Sequence, residues 1–323
     1  MASEHERIAE IRARLARGVP ESAGVELSIG DDAAILKAGS TGSVLSVDAQ
    51  VEGVHFKREW LSLRQLGARA LASALSDLAA MGSVPRAALL SIICPAELTD
   101  QELYELIDGA ADAQALYGCA VVGGNLARGA QLSITTTVIG AAPNQPMTRS
   151  GTQPGDGLYV TGMLGSAAFG LELLKRGLAE RAPSYAERWR VPTARIAEGL
   201  RAAEHAHAAI DVSDGLLQDL RHICAASSVG CEVDLAALPR PAEAALALEL
   251  GLDLERLALS GGEDYELLIA AAHPPRGGDF TRIGTFCEAS GIRLREAAGS
   301  LRTAEIAGFD HFGRDAKSSD LGV

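Results

Sequence analysis

Carboxylates stand at the ends of apolar segments along much of the chain. The stretch "SIGDDAAIL" (28–36) places Asp31 and Asp32 side by side in a glycine-led turn. Carboxylates gathered in a folded protein repel one another and need cations to offset their burial. Hard oxygen donors without paired Cys or His residues favour Mg²⁺. We therefore hypothesise that Asp31 and Asp32 help to hold magnesium. The other acids with this placement are Asp48, Asp77, Asp211, Asp214, Glu263 and Asp264.

Each position also has a purely structural interpretation. Ser213 or Asp214 could cap the helix that follows, and Asp31 could cap its own turn. Asp77 lies at the margin of the apolar stripe of its helix, where it could meet a buried arginine. Glu263 could be an ordinary loop acid. The recurrence of acids at the ends of apolar segments, rather than any single position, favours the magnesium hypothesis.

Phosphate-binding signals are weaker than the acidic ones. The chain has no GxxxxGK[ST] motif, which excludes a P-loop. "GMLGSAAFG" (162–170) resembles a phosphate-binding turn between a strand and a helix. Its spacing is not GxGxxG, however, and glycines that permit tight packing are the favoured interpretation. Arg149 could make a bidentate phosphate contact or be a surface residue of a hinge. An acidic chain can still bind polyphosphate if metal ions lie between carboxylate and phosphate.

The bulk composition excludes several classes of partner. The 323 residues carry a formal net charge of −13, which argues against nucleic acid or an anionic membrane surface. No apolar run reaches the ~18 residues of a membrane helix. The charged segment 1–18 lacks the apolar core of a signal peptide. The five cysteines are scattered and odd in number. These features predict a cytoplasmic protein without structural zinc.

Strand-like and helix-like segments alternate, and they must position the acids. "VLSVD" (44–48) predicts a strand, and the apolar spacing of 66–82 predicts a helix. In the next helix, Thr99 and Glu102 fit a capping box and Gly118 fits a C-cap. The alternation predicts an α/β chain.

A break in the pattern predicts two domains. Residues 141–157 gather prolines and turn residues, and we place the boundary there. The predicted domains are 1–145 and 146–323. In the second, 211–230 predicts a helix with a Ser/Asp start and a Gly stop.

Taken together, the motifs resemble those of the thiamine-monophosphate kinases. That family shares a superfamily with aminoimidazole ribonucleotide synthetase and selenophosphate synthetase. "VEGVHF" and "SGGEDYEL" discriminate within the superfamily. The matching stretches run in family order over residues 28–312: "SIGDDAAIL", "SVDAQVEGVHF", "ALSDLAAMGSVPRAAL", "VVGGNLARG", "MTRSGTQPGDGLYVTG", "AIDVSDGLLQDL", "LSGGEDYELLIA" and "GFDHF".

The resemblance implies an architecture and a set of site residues. The fold would be α/β (α+β), with an N-terminal sheet domain that binds ATP and metal and forms a homodimer, and a C-terminal α/β domain. ATP and thiamine monophosphate would bind in the cleft between the halves. The implied magnesium ligands are Asp32, Ser46, Asp48, Asp77, Asn125, Asp211 and Asp214. The implied ATP contacts are Gly124, Asn125, Arg149 and Ser213. The implied thiamine-phosphate contacts are His55, Glu263 and Phe309.

These implied roles suit the residue types, with two departures. Phe309 offers a ring face for stacking, Glu263 can accept hydrogen bonds from an aminopyrimidine, and His55 can reach a phosphate or ring nitrogen. Many relatives have Asp where this chain has Asn125, whose neutral amide would hold a metal more weakly. Many also have Thr where Val47 stands, and Val47 can offer only its backbone carbonyl.

The implied reaction is transfer of a phosphoryl group from ATP to thiamine monophosphate, giving thiamine diphosphate and ADP. The acceptor is a phosphate monoester that is mostly dianionic at neutral pH, so no general base is required. Several Mg²⁺ ions would offset the repulsion between the two anions. The motifs suggest no nucleophile, and we expect direct in-line transfer without a phospho-enzyme.

Two alternatives stay open at the level of sequence. One is a ligase-type relative that activates an amide or formyl oxygen with ATP, against which "VEGVHF" and "SGGEDYEL" argue. The other is a non-catalytic protein that binds nucleotide or thiamine phosphate through a degraded metal site. Only Asn125 and Val47 support that second alternative.

Overall fold

The structure is a computed structural model that describes residues 4–16, 25–27, 35–36, 42–277 and 279–304. The chain forms two compact units, Met1–Leu78 with Ser83–Asn144 and Ala79–Gly82 with Gln145–Val323. Both combine β-sheet with helices, which confirms the predicted α/β (α+β) class. None of the described helices is long and apolar enough to cross a membrane.

The elements of the first unit are α1 (Glu4–Leu15), β1 (Val25–Leu27), β2 (Ile35–Leu36), β3 (Ser43–Val51), α2 (Leu63–Ala80), β4 (Val84–Cys94), α3 (Asp100–Tyr117), β5 (Ala120–Arg128) and β6 (Ser133–Ala141). The last two residues of α2 group with the second unit.

The elements of the second unit are β7 (Gly157–Thr161), α4 (Ser166–Lys175), α5 (Pro183–Arg190), α6 (Ile196–Ala202), β8 (Ala208–Asp211), α7 (Leu216–Ser227), β9 (Gly230–Asp234), α8 (Ala244–Leu250), α9 (Leu254–Ser260), β10 (Leu267–Ala271), β11 (Phe280–Cys287), β12 (Gly291–Arg295) and β13 (Leu301–Thr303).

The larger sheet of the first unit has four strands in the order β3-β6-β4-β5. In β6, buried Ile134, Thr136 and Val138 alternate with half-buried residues, so one face of the sheet lies on the core. Side chains of α2 hydrogen-bond to side chains of β3 on this face. The opposite face exposes large apolar side chains, including Leu45 and Val47.

Two glycines allow α2 and α3 to approach closely. A Cβ atom on Gly67 would lie 1.8 Å from the carbonyl oxygen of Leu106. A Cβ atom on Gly109 would lie 1.7 Å from the carbonyl oxygen of Arg64. Both contacts are with backbone atoms, which have little freedom to shift, so these positions require glycine. The close helix pair fixes α2, which carries Asp77.

The predicted boundaries of α3 are confirmed in detail. Thr99 accepts a hydrogen bond from the Glu102 backbone N–H, and the Glu102 side chain accepts one from the Thr99 backbone N–H. At the other end, Gly118 adopts φ 67°. That left-handed conformation strains most other residues, so the glycine ends the helix there.

The sheet of the second unit has seven strands in the order β13-β12-β9-β11-β7-β10-β8. Strands β7 and β8 are both antiparallel to β10 and therefore run in the same direction. Leu267 at the start of β10 pairs with Asp211 at the end of β8, and Ala270 pairs with Ala208. Asp211 therefore lies at one end of β8, beside the start of β10, and Ala208 lies at the opposite end.

Candidate functional site

Strand β3 carries polar side chains toward α2. The hydroxyl of Ser46 donates a hydrogen bond to the Asp77 carboxylate on α2. Asp48, two residues further along the strand, accepts hydrogen bonds from the Ala49 N–H (2.8 Å) and from the side-chain amide of Gln50 (3.3 Å). The structure therefore brings Ser46 and Asp77 together, and their roles as magnesium ligands stay predictions.

A buried polar group supports this face of β3, and the sequence analysis missed it. Arg69 is fully buried, and its Nε donates to Oε1 of Gln50 at 3.0 Å. The amide of Gln50 lies 3.4 Å from the Ser73 hydroxyl. Burial of an arginine inside a helix has no signature in apolar periodicity, because it depends on the polar partner that the strand supplies.

One row across the sheet joins Asp48 to Gly124. Asp48 pairs with Thr136, Thr136 with Leu90, and Leu90 with Gly124. A Cβ atom on Gly124 would lie 1.8 Å from the Leu90 carbonyl oxygen, so only glycine fits. The Thr136 hydroxyl is buried beside Asp48 and has no hydrogen-bond partner within the described residues. Asn125 follows Gly124 and is exposed.

His55 is held in a tight turn after β3. Its Nδ1 accepts a hydrogen bond from the Val51 backbone N–H at 3.1 Å, while the backbone N–H of His55 donates to the Val51 carbonyl. Because Nδ1 accepts, the neutral ring carries its proton on Nε2. His55 can therefore act as a hydrogen-bond donor toward an anion.

In the second unit, Asp219 organises the loop between β8 and α7. Its Oδ2 accepts hydrogen bonds from the backbone N–H groups of Ser213, Asp214 and Gly215, each at 3.1 Å. Asp219 is buried, and burial together with the charges of Asp211 and Asp214 raises its pKa to about 8. The charges of Asp211 and Asp214 therefore act on Asp219, and a cation bound near them would offset their repulsion.

The capping explanation of Ser213 and Asp214 is wrong. The N-cap residue of α7 is Gly215, at φ 115°, and no side-chain cap hydrogen bond forms at this end of the described helix. Asp219 takes the backbone donors instead. The predicted glycine stop is also shifted, since α7 ends at Ser227 with Ser228 in the left-handed region, and Gly230 already begins β9.

Arg149 and Asp214 both act on His222 in the middle of α7. Burial lowers the pKa of His222, the charges of Arg149 and Arg221 lower it further, and Asp214 raises it. The Ser227 hydroxyl donates to the Arg149 carbonyl at 3.2 Å. The Arg149 guanidinium and the acidic loop therefore lie within electrostatic range of one side chain.

The "SGGEDYEL" loop is tied to the acidic loop through its backbone. Glu263 and Tyr265 adopt φ values of 66° and 52°, which are strained for non-glycine residues. The Glu263 N–H donates to the Ser213 carbonyl at 2.8 Å, and the Tyr265 N–H donates to the Val212 carbonyl at 2.9 Å. Nε1 of buried Trp189, on α5, donates to Oε2 of Glu263 at 2.5 Å.

Asp264 has a structural task, so its inclusion among the candidate metal-site acids is wrong. Its carboxylate accepts from the N–H groups of Gly165 (2.5 Å) and Ala167 (2.9 Å) and from the Ser166 hydroxyl (3.2 Å). The N-terminus of α4 is therefore occupied by a protein carboxylate. This confirms that "GMLGSAAFG" is a packing turn, and a Cβ atom on Gly165 would lie 2.6 Å from Ala258 N. Burial raises the pKa of Asp264 to about 7.

Glu266 is the third acid of the same stretch and is neutralised by arginines. It is almost fully buried and accepts two hydrogen bonds of 2.6 Å from Arg195 and one of 3.1 Å from Arg188. The Thr161 hydroxyl donates to it at 2.7 Å. Glu266 therefore anchors α5 and the segment before α6 beside the start of β10.

Several predicted site residues are not brought together by direct contacts. Asp31, Asp32 and Phe309 lie outside the described residues. Among the residues that the structure describes, no three His, Cys, Asp or Glu side chains are grouped closely enough to hold a metal ion. The donors are nonetheless hard oxygen atoms of the type that magnesium takes. The predicted ligand set stays a prediction.

Comparison with known proteins decides the family. The family model of the AIR synthase related protein N-terminal domain matches residues 30–142, and that of the C-terminal domain matches residues 153–296. The thiamine-monophosphate kinase of Mycobacterium tuberculosis (strain CDC 1551 / Oshkosh) is 36% identical over 313 residues, which cover 96% of this chain and 92% of the relative. The chain belongs to the thiamine-monophosphate kinase family. The family predicted from the motifs is confirmed, whereas the domain ranges 1–145 and 146–323 stay predictions.

Other thiamine-monophosphate kinases agree in sequence and fold. The Escherichia coli (strain K12) enzyme is 37% identical over 306 residues, covering 89% of this chain and 92% of the relative. The crystal structure of the Stenotrophomonas maltophilia K279a enzyme has a TM-score of 0.78 at 35% identity, covering 90% of this chain and 96% of its own. The structure of "AaThiL complexed with AMPPCP and TMP" has a TM-score of 0.78 at 32% identity, covering 96% and 97%.

Proposed function

We propose that this chain transfers the terminal phosphoryl group of ATP to the phosphate of thiamine monophosphate, giving thiamine diphosphate and ADP. The observation that carries the proposal is the match over 96% of the chain to a family member solved with AMPPCP and TMP. AMPPCP is an ATP analogue, and the relatives are named for thiamine monophosphate. Such a kinase is an enzyme of thiamine biosynthesis.

Two segments that carry proposed ATP contacts, strand β5 and the loop between β8 and α7, have geometries that suit phosphate. Gly124 is exposed and carries no side chain, so a ligand can approach the β5 backbone closely at this point. Ser213 lies in the loop between β8 and α7, three of whose backbone N–H groups donate to the Asp219 side chain. Arg149 supplies a guanidinium that can bind phosphate through two parallel N–H groups. We assign ATP contacts to Gly124, Asn125, Arg149 and Ser213.

Magnesium is the cation that these donors fit. The proposed ligands are carboxylate, hydroxyl and amide oxygens, from Asp32, Ser46, Asp48, Asp77, Asn125, Asp211 and Asp214. The buried, unpartnered hydroxyl of Thr136 lies beside Asp48 and could serve a bound water molecule. When bound, magnesium would supply positive charge to the phosphates and to the transferred group.

The acceptor side uses His55, Glu263 and Phe309. The Nε2–H of His55 can donate to the substrate phosphate, and Glu263, oriented by Trp189, can accept from an aminopyrimidine. Phe309 would stack on a heteroaromatic ring. The acceptor phosphate is already largely ionised, since its second pKa is about 6. We therefore assign no general base and propose direct in-line transfer.

The enzyme is proposed to act as a cytoplasmic homodimer. All five cysteines lie in the described residues and are free thiols, which suits a reducing compartment. The exposed face of the first-unit sheet carries Leu45 (64% exposed) and Val47 (61%) together with Val84, Leu89 and Ile93. A second copy of this sheet would cover that apolar face.

A substrate panel tests the proposal. The chain is incubated with ATP, Mg²⁺ and one acceptor at a time, and ADP release is measured. Release that depends on thiamine monophosphate supports the kinase. Release that depends on an amide or formyl substrate would support the ligase-type alternative. Binding of nucleotide and thiamine monophosphate without ADP release at high Mg²⁺ would support the non-catalytic alternative.

A further inference from the structure

A cleft opens in the second unit at the end of the sheet away from Asp211. Its volume is about 700 Å³, within the range of small-molecule sites. Its walls come from 145–150, the segment 203–207 before β8, and 272–276 after β10. Asp211 lies at the opposite end of β8, three residues or about 10 Å along the strand from Ala208.

The cleft collects groups that can donate hydrogen bonds to an anion, although the chain as a whole is acidic. Its walls include His205, His207, His273 and Arg276, against one carboxylate, Glu204. His205 and Glu204 are 3.9 Å apart, and both are largely exposed. Arg276 makes no ion pair or hydrogen bond within the described residues. In a chain of net charge −13, such a grouping on one cleft is unexpected unless it receives an anion.

One imidazole of the cleft is fixed by a buried acid. Nδ1 of His207 lies 2.8 Å from Oδ2 of Asp156, whose side chain is 5% exposed, and Asp156 also accepts from the Gln153 N–H. The His207 backbone N–H donates to the Ala270 carbonyl at 2.8 Å. A carboxylate within hydrogen-bond distance of one ring nitrogen orients the ring.

A second arginine, Arg201, lies beside Gly277, next to the 272–276 wall of the cleft. The Cδ atom of Arg201 lies 3.5 Å from the position that a Cβ atom on Gly277 would take, next to Arg276. Nε of Arg201 is buried and has no hydrogen-bond partner among the described residues, although its Nη2 lies 3.5 Å from Glu198. Arg201 therefore adds a positive charge next to this wall of the cleft.

We propose that this cleft binds a small anion of the phosphate or diphosphate class, at a site separate from the acidic loops. Arg276 supplies paired N–H donors, and the imidazoles of His207 and His273 supply further ones. Ser150, whose hydroxyl lies 3.1 Å from that of Thr148, adds a neutral donor on the third wall. An occupant would contact residues 145–150 and the segments that adjoin β8 and β10 at the ends away from the acidic loops.

Calorimetric titration of the full chain with inorganic pyrophosphate, and separately with orthophosphate, tests the proposal. EDTA is present throughout, because without divalent cations the carboxylates of Asp211 and Asp214 repel phosphate. We expect saturable binding of pyrophosphate that Arg276→Ala weakens at least about tenfold. Arg282→Ala, which removes an exposed arginine that hydrogen-bonds to Thr285 outside the cleft, should leave the affinity unchanged.

Imidazole NMR signals locate the site independently of affinity. Pyrophosphate should shift the signals of His207 and His273, assigned with His207→Gln and His273→Gln, and should leave that of His222 on α7 in place. Absence of saturable binding, equal weakening by Arg276→Ala and Arg282→Ala, or a shift of His222 alone would overturn the proposal. No ATP or thiamine compound is used, so the result is independent of the proposed kinase activity.

Discussion

The three carboxylic acids of "SGGEDYEL" have three different structural roles. Glu263 has a strained backbone and accepts a side-chain hydrogen bond from Trp189, Asp264 occupies the N-terminus of α4, and Glu266 is neutralised by arginines. Their neighbours in space, not in sequence, decide these tasks. Only Glu263 retains a geometry suited to a ligand.

Asp219 is the residue on which the acidic loop most depends. Asp219→Ala removes the acceptor of three backbone N–H groups, so the loop that carries Ser213 and Asp214 should lose its fixed position. We expect kcat to fall about 10- to 100-fold and half-maximal activity to require more Mg²⁺. Steady-state kinetics over a Mg²⁺ series measure both.

Asp253→Ala is the matched control for Asp219→Ala. Asp253 also accepts from two backbone N–H groups, at the N-terminus of α9, but it is exposed. Its loss should cost about 1 kcal/mol of unfolding free energy and leave the kinetics unchanged. Equal kinetic effects of the two variants would refute the special role of Asp219.

Trp189→Phe keeps a buried ring but removes the N–H that holds Glu263. We expect KM for thiamine monophosphate to rise about tenfold, with KM for ATP unchanged, because only acceptor binding uses Glu263. Trp60→Phe, at the buried tryptophan of the first unit, is the control and should alter neither KM. A rise in KM for ATP instead would place Trp189 in a general structural role.

Asp264 predicts a pH dependence of stability. Burial raises its folded-state pKa to about 7, above the usual value of 3.8, so the folded protein binds the proton more tightly. The stabilisation is therefore complete below about pH 4 and is lost as pH rises through about 7. Asp264→Asn cannot titrate, and denaturant unfolding of the metal-free protein should show a shallower decline over this range. Parallel pH profiles would contradict the shift.

At the level of elements, the first-unit sheet pairs a packed face with an exposed one. The buried face is covered by α2, whereas Leu45 and Val47 on the edge strand β3 are among the most exposed large apolar side chains of the described residues. Exposed apolar area of this kind is usually an interaction surface. An interaction surface on this face would explain why β3 directs its polar side chains toward α2 and its apolar side chains to the exposed face.

Val47→Glu should convert the proposed homodimer into a monomer. A charge placed on an apolar interface has no partner there and opposes association. Sedimentation equilibrium measures the mass. Leu248→Glu, which adds the same charge at an 82% exposed leucine on α8 of the second unit, should leave the dimer intact. A wild-type mass equal to that of one chain would reject the dimer.

At the level of the whole molecule, local signals in the sequence predicted more than tertiary ones. The capping box of α3 follows from Thr99 and Glu102 alone, and ordered motifs identified the family. Arg69 and Trp189 were missed because each acts through a partner that folding brings from another segment. Asp219 was missed although its partners are local, because an acid within a helical pattern does not reveal that it accepts from the loop before the helix. The capping interpretation of Ser213 and Asp214 failed because the Asp219 side chain accepts from the backbone N–H groups of this loop.

The fate of the labelled γ-phosphate of ATP tests the central claim most directly. The full chain is incubated with γ-labelled ATP, Mg²⁺ and thiamine monophosphate, and the products are separated. The account predicts that the label appears in the terminal phosphate of thiamine diphosphate, with none on the protein. Label found in inorganic phosphate alone, or bound covalently to the chain, would contradict it.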